Sequence, residues 1–407
     1  MAGRFQTAYD RRVRALVVGS GGREHALAWS LARSDSVDEL HAAPGNPGIA
    51  ALADCHPVRA DDHAALVSLA RELRIDLVVV GPEAPLVAGL ADELRLRGVA
   101  VFGPSAAAAR IEGSKSFAKE VLEAAGVATA ETLPVARPPC VVKVDGLAAG
   151  KGVWVCRKQD ELDAALHAAQ ALDQPFHVEE LLEGPELSLF AVASGEAAVP
   201  LPPARDYKRI GDGDTGPNTG GMGSFSPLPD VPDDAAEEIL EAVHRPVLEE
   251  LARRGTPFQG LLYAGLMATQ SGLRVIEFNC RFGDPETQSL LPRLDGDLLP
   301  LLAGDLSQAP QVADRAAVTV VLAGGEYPEG GDRGTPIEGV EEAEATGALV
   351  LHAGTALHDG RLVTNGGRIL NVVGVGETVE AARTAAYEAA GHIDFAGMQY
   401  RSDIADV

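Results

Sequence analysis

Along the N-terminal quarter of the chain, short apolar runs alternate with apolar positions spaced for a single helix face. Ala15 to Val18 reads as a buried strand that Gly19, Gly21 and Gly22 bring to an end. Glu24, Leu27, Ala28 and Leu31 then fall at the spacing of one helical face, as do Leu66, Leu69, Ala70 and Leu73 further on. The second helix runs into the apolar stretch Leu77–Val80, followed by Gly81-Pro82, and Val99 to Phe102 repeats the pattern before Gly103-Pro104. Strands alternating with helices predict a parallel α/β sheet with ligands at the carboxyl ends of its strands. This first domain is expected to end near Arg110.

From Gly113 the pattern changes. Val141 to Val144 and Val153 to Cys156 read as two strands around the turn Asp145–Gly152, a Gly-rich hairpin. Val178–Leu182, Leu187–Ala193, Leu261–Ala268 and Leu273–Phe278 are further predicted strands, and a helix is expected over Asp233–Arg254. Residues 205–229 are rich in Gly, Asp, Pro and Thr without apolar period, and read as one long functional loop. From Ala316 onward come short strands and a last helix around Thr378–Ala390.

A chain of 407 residues is too long for one ordinary core and predicts several domains. Its net charge of −25 argues against nucleic acid or an anionic membrane as partner. A local Lys, Arg and N–H cluster still captures a single phosphate. The four cysteines form no C-x-x-C pair, as expected of reduced thiols, and no apolar run approaches the roughly 18 residues of a membrane span. Cytoplasm is the expected compartment. The polar stretch before Arg14 reads as a disordered tail.

Against this background a few segments carry chemistry. In Val275–Arg281, strand alternation puts Glu277, Asn279 and Arg281 on one face and Ile276, Phe278 and Cys280 on the other. A carboxylate and an amide oxygen are what Mg²⁺ shares with substrate phosphates, and Arg281 is suited to charge on a transferring phosphoryl group. Taken alone, the same face also suits a solvated sheet edge; the adjoining Gly283-Asp284-Pro285-Glu286 favours a ligand loop. Gly146, Gly150 and Gly152 bring backbone N–H groups close to phosphates, with Lys143 and Lys151 as point charges, although the spacing is not that of a Walker A loop. Glu179, Glu180 and Leu182 stand at a strand end suited to adenine, and Glu186 to ribose hydroxyls. Asp206–Gly223 is too polar for core and too dense in Asp, Lys, Arg, Asn and Thr for a passive linker. The turn Gly21–Ala26 between strand and helix is an anion site by geometry, but its glycines lack the dinucleotide spacing, which argues against NAD.

Taken together these segments resemble the ATP-grasp ligases, and within them the glycinamide ribonucleotide synthetase family. The resemblance rests on Gly21-Gly-Arg-Glu-His-Ala-Leu27, Ala43-Pro-Gly-Asn46, Gly81-Pro-Glu-Ala-Pro-Leu86, Glu112-Gly-Ser-Lys115, the Lys143–Gly152 segment, Asp214–Gly223, Leu262–Leu266, Glu277–Gln288, His352–Thr355 and Asn365–Arg368. It implies an N-terminal parallel α/β domain (14–112), an ATP-grasp domain (113–312) with a Gly-rich lid near 129–185, and a small α+β domain (313–407), behind a tail (1–13). It implies ligation of glycine to 5-phosphoribosylamine through glycyl phosphate, with ATP as co-substrate and Mg²⁺ or Mn²⁺ on Glu277 and Asn279. Lys115, Lys143, Gly146, Gly150, Lys151, Gly152, Glu179, Glu180, Leu182 and Glu186 are then expected at ATP. Arg281, Asp284, Lys208 and Asp206 are expected at the reacting groups. Gly21, Gly22, Arg23, Glu24, His25, Gly45, Asn46, Asp214, Asn218, Thr219, Gly220 and Gly221 are expected at the other substrates. A monomer or weak homodimer is expected. Tyr207 stands where the family commonly has His, and the stretch Thr132–Pro139 is shorter than in many relatives.

Overall fold

In the computed structural model, which describes residues 13–147, 152–232 and 234–407, the first domain is a five-stranded parallel sheet. Its strands are β1 (Val13–Gly19), β2 (Val37–Pro44), β3 (Asp54–Cys55), β4 (Leu77–Val80) and β5 (Ala100–Phe102), in the order β3-β2-β1-β4-β5. Helix Gly22–Leu31 follows β1 directly and buries Glu24, Leu27, Ala28 and Leu31, the face its periodicity announced, together with Gly22, Arg23, His25 and Ala26. Chain order reverses at β1, so the segments after β1, β2 and β4 open on one crevice at the carboxyl ends of the strands.

Next comes a small three-stranded antiparallel unit, β7-β6-β8, of β6 (Cys140–Val144), β7 (Val153–Cys156) and β8 (Phe176–Glu180). Cys140, Val142, Val144, Cys156, Leu162, Ala165, Ala169 and Val178 give it a core separate from the two larger ones. The β6–β7 pairing is the predicted hairpin, but the expected phosphate-contacting Gly150 and Lys151 lie outside the described residues, as does the expected tail up to residue 12.

The platform beneath the unit is an eight-stranded sheet. It contains β9 (Glu186–Ser194), β10 (Ala197–Asp206), and, past the hairpin of β11 (Arg209–Gly211) and β12 (Thr215–Asn218), β13 (Gly223–Ser226), then β14 (Gln259–Thr269) and β15 (Gly272–Asn279). The order is β15-β14-β9-β10-β13, continued by Ala316–Ala323, Arg368–Gly376 and Leu349–His352. The long loop expected over 205–229 is therefore corrected: it holds a hairpin and a buried strand. Its strands are polar or glycine-rich, so they show no apolar alternation, and β13 gains order by pairing with Val318 and Val320, residues nearly a hundred positions away. Among the described residues no helix is long and apolar enough to cross a membrane.

Residues 235–253 are helical with a π-helical stretch at Leu240–His244, which turns His244 fully inward beside the Phe278 ring. Neither ring nitrogen has a hydrogen-bond partner, and burial lowers its pKa from 6.5 to about 4. The unfolded chain therefore binds the proton first, so this group withdraws stability as pH falls from 6.5 toward 4. A His244→Leu variant is expected to gain stability relative to the parent over that interval and to hold a constant difference above it. Urea unfolding across the pH range checks this; a pH-independent difference would contradict it.

Candidate active site

A cleft of about 1090 Å³ opens between the small antiparallel unit and the large sheet, bordered by the first domain. On its upper wall, Lys143 reaches from β6 to Glu179 on β8 at 2.6 Å and gives a hydrogen bond to the Ile276 carbonyl at 3.1 Å. Lys119 and His177 also meet Glu179, at 2.9 and 3.1 Å. Burial opposes ionisation of Glu179, but the His177 hydrogen bond and the two ammonium groups outweigh it and bring its pKa to about 2. Its carboxylate is thus committed to fixing the lysines. Glu180 and Leu182, at the same strand end, line the cleft.

Lys115 lies across the same cleft, its ammonium donating to the Gly146 carbonyl at 3.1 Å. Asp145 ties the β6–β7 turn to this helix start, accepting from the Lys115 and Ser116 N–H groups at 2.5 and 3.4 Å. Gly146 has φ +95°, a conformation that a side chain resists. Glu186 is ion-paired with Lys208 at 2.7 Å, and Asp206 lies 4.0 Å from the same ammonium.

Glu277 and Asn279 line the cleft from β15 while Phe278 and Cys280 are buried, as the sequence predicted. Ile276, expected on the buried face, is instead half-buried and lines the cleft where a register shift against β14 interrupts the alternation. Glu277 faces Gly265 on β14, whose missing side chain leaves room for it: a Cβ there would stand 3.2 Å from Glu277 Cγ. Glu277 forms no ion pair among the described residues, and no cage of three or more His, Cys, Asp or Glu exists among them. That donor set fits a Mg²⁺ ion that completes its shell with phosphate oxygens and water. The surroundings agree: burial, with Glu286, Glu186 and Glu277 nearby, pushes Asp206 up to about 7 despite Lys208, a surplus of negative charge that a cation relieves.

Arg281 is less free than its position on the strand suggested. Its guanidinium meets Glu83 at 3.2 Å and Glu112 at 3.2 Å, and donates to Asn279 Oδ1 at 3.3 Å. Glu112 also accepts the Cys280 N–H at 2.7 Å, so it holds the end of the β15 segment twice. Removing the Glu112 carboxylate leaves the Cys280 N–H without its acceptor and Arg281 with Glu83 as its remaining carboxylate, a loss of about 1–3 kcal/mol. Glu112→Ala is therefore expected to lower unfolding free energy on that scale and Glu112→Gln by clearly less; equal, near-zero losses in denaturant titrations would contradict the clamp.

A second, smaller pocket of about 450 Å³ lies where the strands of the first domain end. It is lined by Ser20, Gly21, Pro44, Gly45 and Asn46 from that domain and by Ala353–Thr355, Asn365 and Arg368 from the last. Asn46 braces it, donating to the Ser20 and His352 carbonyls at 2.9 and 2.8 Å. Asp284 and Arg368, paired at 2.8 Å, line both this pocket and the large cleft.

Several expected ligand residues turn away from both spaces. Glu24 is buried and accepts the Gly21 N–H at 2.6 Å and the Arg23 Nε–H at 2.5 Å, so it shapes the turn. His25 accepts the His352 N–H at 2.7 Å, and burial chiefly lowers its pKa to about 3. Gly22 is packed against Asn371 and Gln288, and Gly221 against Pro285. Arg23 does reach the cleft, as do Asn218, Thr219 and Gly220, whereas the cleft-edge Asp214 is ion-paired with Arg401 at 2.8 Å. Sequence reasoning missed Glu83, Glu112, Lys119, Glu286, Thr355 and Arg368. All lie inside or beside motifs that it quoted, except Lys119, which has no local signal at all.

The chain is matched along its length by three family profiles: Phosphoribosylglycinamide synthetase N domain over residues 13–112, ATP-grasp (A) domain over 113–287 and C domain over 317–407. Among curated relatives, the phosphoribosylamine–glycine ligase of Corynebacterium ammoniagenes is 49% identical, with 96% of this chain and 97% of that protein covered. That of Streptomyces coelicolor is 50% identical over 97% and 99%. The crystal structure of the Thermotoga maritima phosphoribosylamine–glycine ligase superposes with TM-score 0.82 at 35% identity, covering 96% of this chain and all (100%) of that one. A biotin carboxylase domain from Hydrogenobacter thermophilus, solved with MgADP and bicarbonate, shares the fold at TM-score 0.68 and 15% identity, with 95% and 91% covered.

Proposed function

The chain belongs to the phosphoribosylglycinamide synthetase family, and on that premise we propose that it joins glycine to 5-phosphoribosylamine at the expense of ATP. The observation that carries the reading is the shared wall: Asp284 and Arg368 border both the cleft and the smaller pocket. A two-step ligation needs such an arrangement, because an acyl phosphate made on one side must meet an amine held on the other before water does.

In the first step a glycine carboxylate oxygen attacks the γ-phosphorus, and ADP leaves with the electron pair of the broken P–O bond. In the second, the amine attacks the acyl carbon, phosphate departs and the amine loses a proton. Lys115 and Lys143 hold the phosphates as point charges, with Gly146 and Gly152 lining the same cleft. Glu180 and Leu182 present backbone to adenine, and Glu179 keeps Lys143 in place. Glu186 and Lys208 stand between ribose and reacting phosphate, and Asp206 and Arg281 set the charge around them. Glu277 and Asn279 would hold Mg²⁺ or Mn²⁺, which would supply charge neutralisation for the phosphoryl oxygens. The Gly21 turn, Gly45, Asn46 and Thr355 receive the phosphoribosyl group beside the N-terminus of helix Gly22–Leu31. An acidic chain suits small diffusing substrates in the cytoplasm better than a polyanionic partner.

Glu277→Ala is expected to cut ADP release in the presence of glycine and phosphoribosylamine on the order of 100-fold or more, with thermal unfolding little changed. Near-parental turnover would refute the metal role. A panel of amino acids in the same assay separates glycine from other carboxylates, and release that ignores glycine would refute the substrate.

A further inference from the structure

The C-terminal segment, which lines neither pocket, grips the β11–β12 hairpin, which borders the cleft. Arg401 is 1% exposed. Its guanidinium makes a two-point contact with Asp403 at 2.7 and 2.6 Å, an ion pair with Asp214 at 2.8 Å and a hydrogen bond to the Arg209 carbonyl at 3.2 Å. It also lies over the Tyr207 ring, 4.7 Å from the centroid. Around it, Asp403 accepts the Gly213 N–H at 2.8 Å, Asp212 accepts the Ser402 N–H at 2.8 Å, and the Tyr207 hydroxyl accepts the Ala405 N–H at 2.9 Å. The tail therefore holds the chain at Tyr207, at Arg209 and at the hairpin turn. Lys208 is the residue in between.

We propose that Arg401 is a positioning residue for Lys208, acting through the Tyr207 ring and the Arg209 carbonyl. This rests on the reading in which Lys208 works at the reacting phosphate. The backbone of Lys208 is the pivot: its carbonyl accepts both the Thr219 N–H at 2.7 Å and the Thr219 hydroxyl at 2.9 Å. Its ammonium meets Glu186 at 2.7 Å inside the cleft. A guanidinium is required because only a planar fork satisfies Asp403 with two bonds while its face covers Tyr207. Tyr207 thereby acquires a role of its own, with its ring as the floor for Arg401 and its hydroxyl as the anchor for Ala405. A histidine at 207 would reach the tail differently.

Arg401→Met, Lys208→Met and the double variant, made in the full chain, test the proposal. Hydrogen exchange at the Thr219 amide, and at the Met222 amide that donates to the Tyr207 carbonyl at 2.7 Å, is expected to speed up about tenfold in Arg401→Met while β14 and β15 keep parental rates. kcat/KM for glycine is expected to fall about tenfold with KM for ATP within about twofold, and Arg401→Met added to Lys208→Met is expected to cost less than about twofold more. Asp403→Asn, which removes half of the fork's partner but leaves Arg401 paired with Asp214, is expected to raise exchange in the same segment by less, and serves if Arg401→Met does not fold. Unchanged exchange in either variant overturns the proposal, as does a loss in the double variant equal to the product of the singles. If the parent shows no glycine-dependent turnover while exchange responds as described, the ligase reading falls and the latch stands.

Discussion

Arg281 sits where three parts of the chain meet, and the arrangement of the site depends on it. Its partners Glu83 and Glu112 come from helices Glu83–Val87 and Ala106–Gly113 of the first domain, and Asn279 comes from the strand proposed to bind metal. Burying a guanidinium beside carboxylates is costly unless every charge is matched, so the triad tolerates few alternative positions. Burial disfavours the charged Arg281, yet Glu112 and Glu83 raise its pKa, so the cation is permanent. The end of β15 is thereby pinned to the first domain, and Asn279 is oriented by a group that need never touch substrate.

The remaining walls likewise fix their donors before a ligand arrives. Lys143 and Lys119 share Glu179, Lys208 is shared by Glu186 and Asp206, and Arg368 spans Asp284 and the Gly220 carbonyl at 2.7 Å. Each cation is held by a carboxylate, which lowers the reorganisation needed when phosphate oxygens arrive. Glu277 differs from these: like Glu286 it lines the cleft without an ion-pair partner among the described residues, and it stands opposite a glycine that gives it room. Placement of the Lys143 wall on a unit with its own small core separates its packing from that of the platform below.

Local pattern made much of this legible. The helix after β1, the β6–β7 hairpin and the alternation of Glu277 and Asn279 with Phe278 and Cys280 are consequences of period and can be read residue by residue. Resemblance supplied what period cannot, namely which loops share one cleft. What stayed hidden is non-local. β13 reads as loop because Gly223-Ser-Phe-Ser226 has no alternation and is a strand only through pairing with Val318 and Val320. Glu24 and His25 look like ligands in a glycine-rich turn, yet the turn folds them inward, where Gly21 N–H and His352 N–H occupy them. The ion pair of Asp214 with Arg401, nearly two hundred residues on, has no local signal either.

The central claim is that a glycine carboxylate is phosphorylated in the cleft and the acyl phosphate is taken by an amine held across Asp284 and Arg368. Glycine labelled with heavy oxygen at both carboxylate positions tests it most directly. In a single turnover with ATP and phosphoribosylamine, one labelled oxygen is expected in the released inorganic phosphate and the other in the amide product. Unlabelled phosphate formed alongside amide would contradict the account.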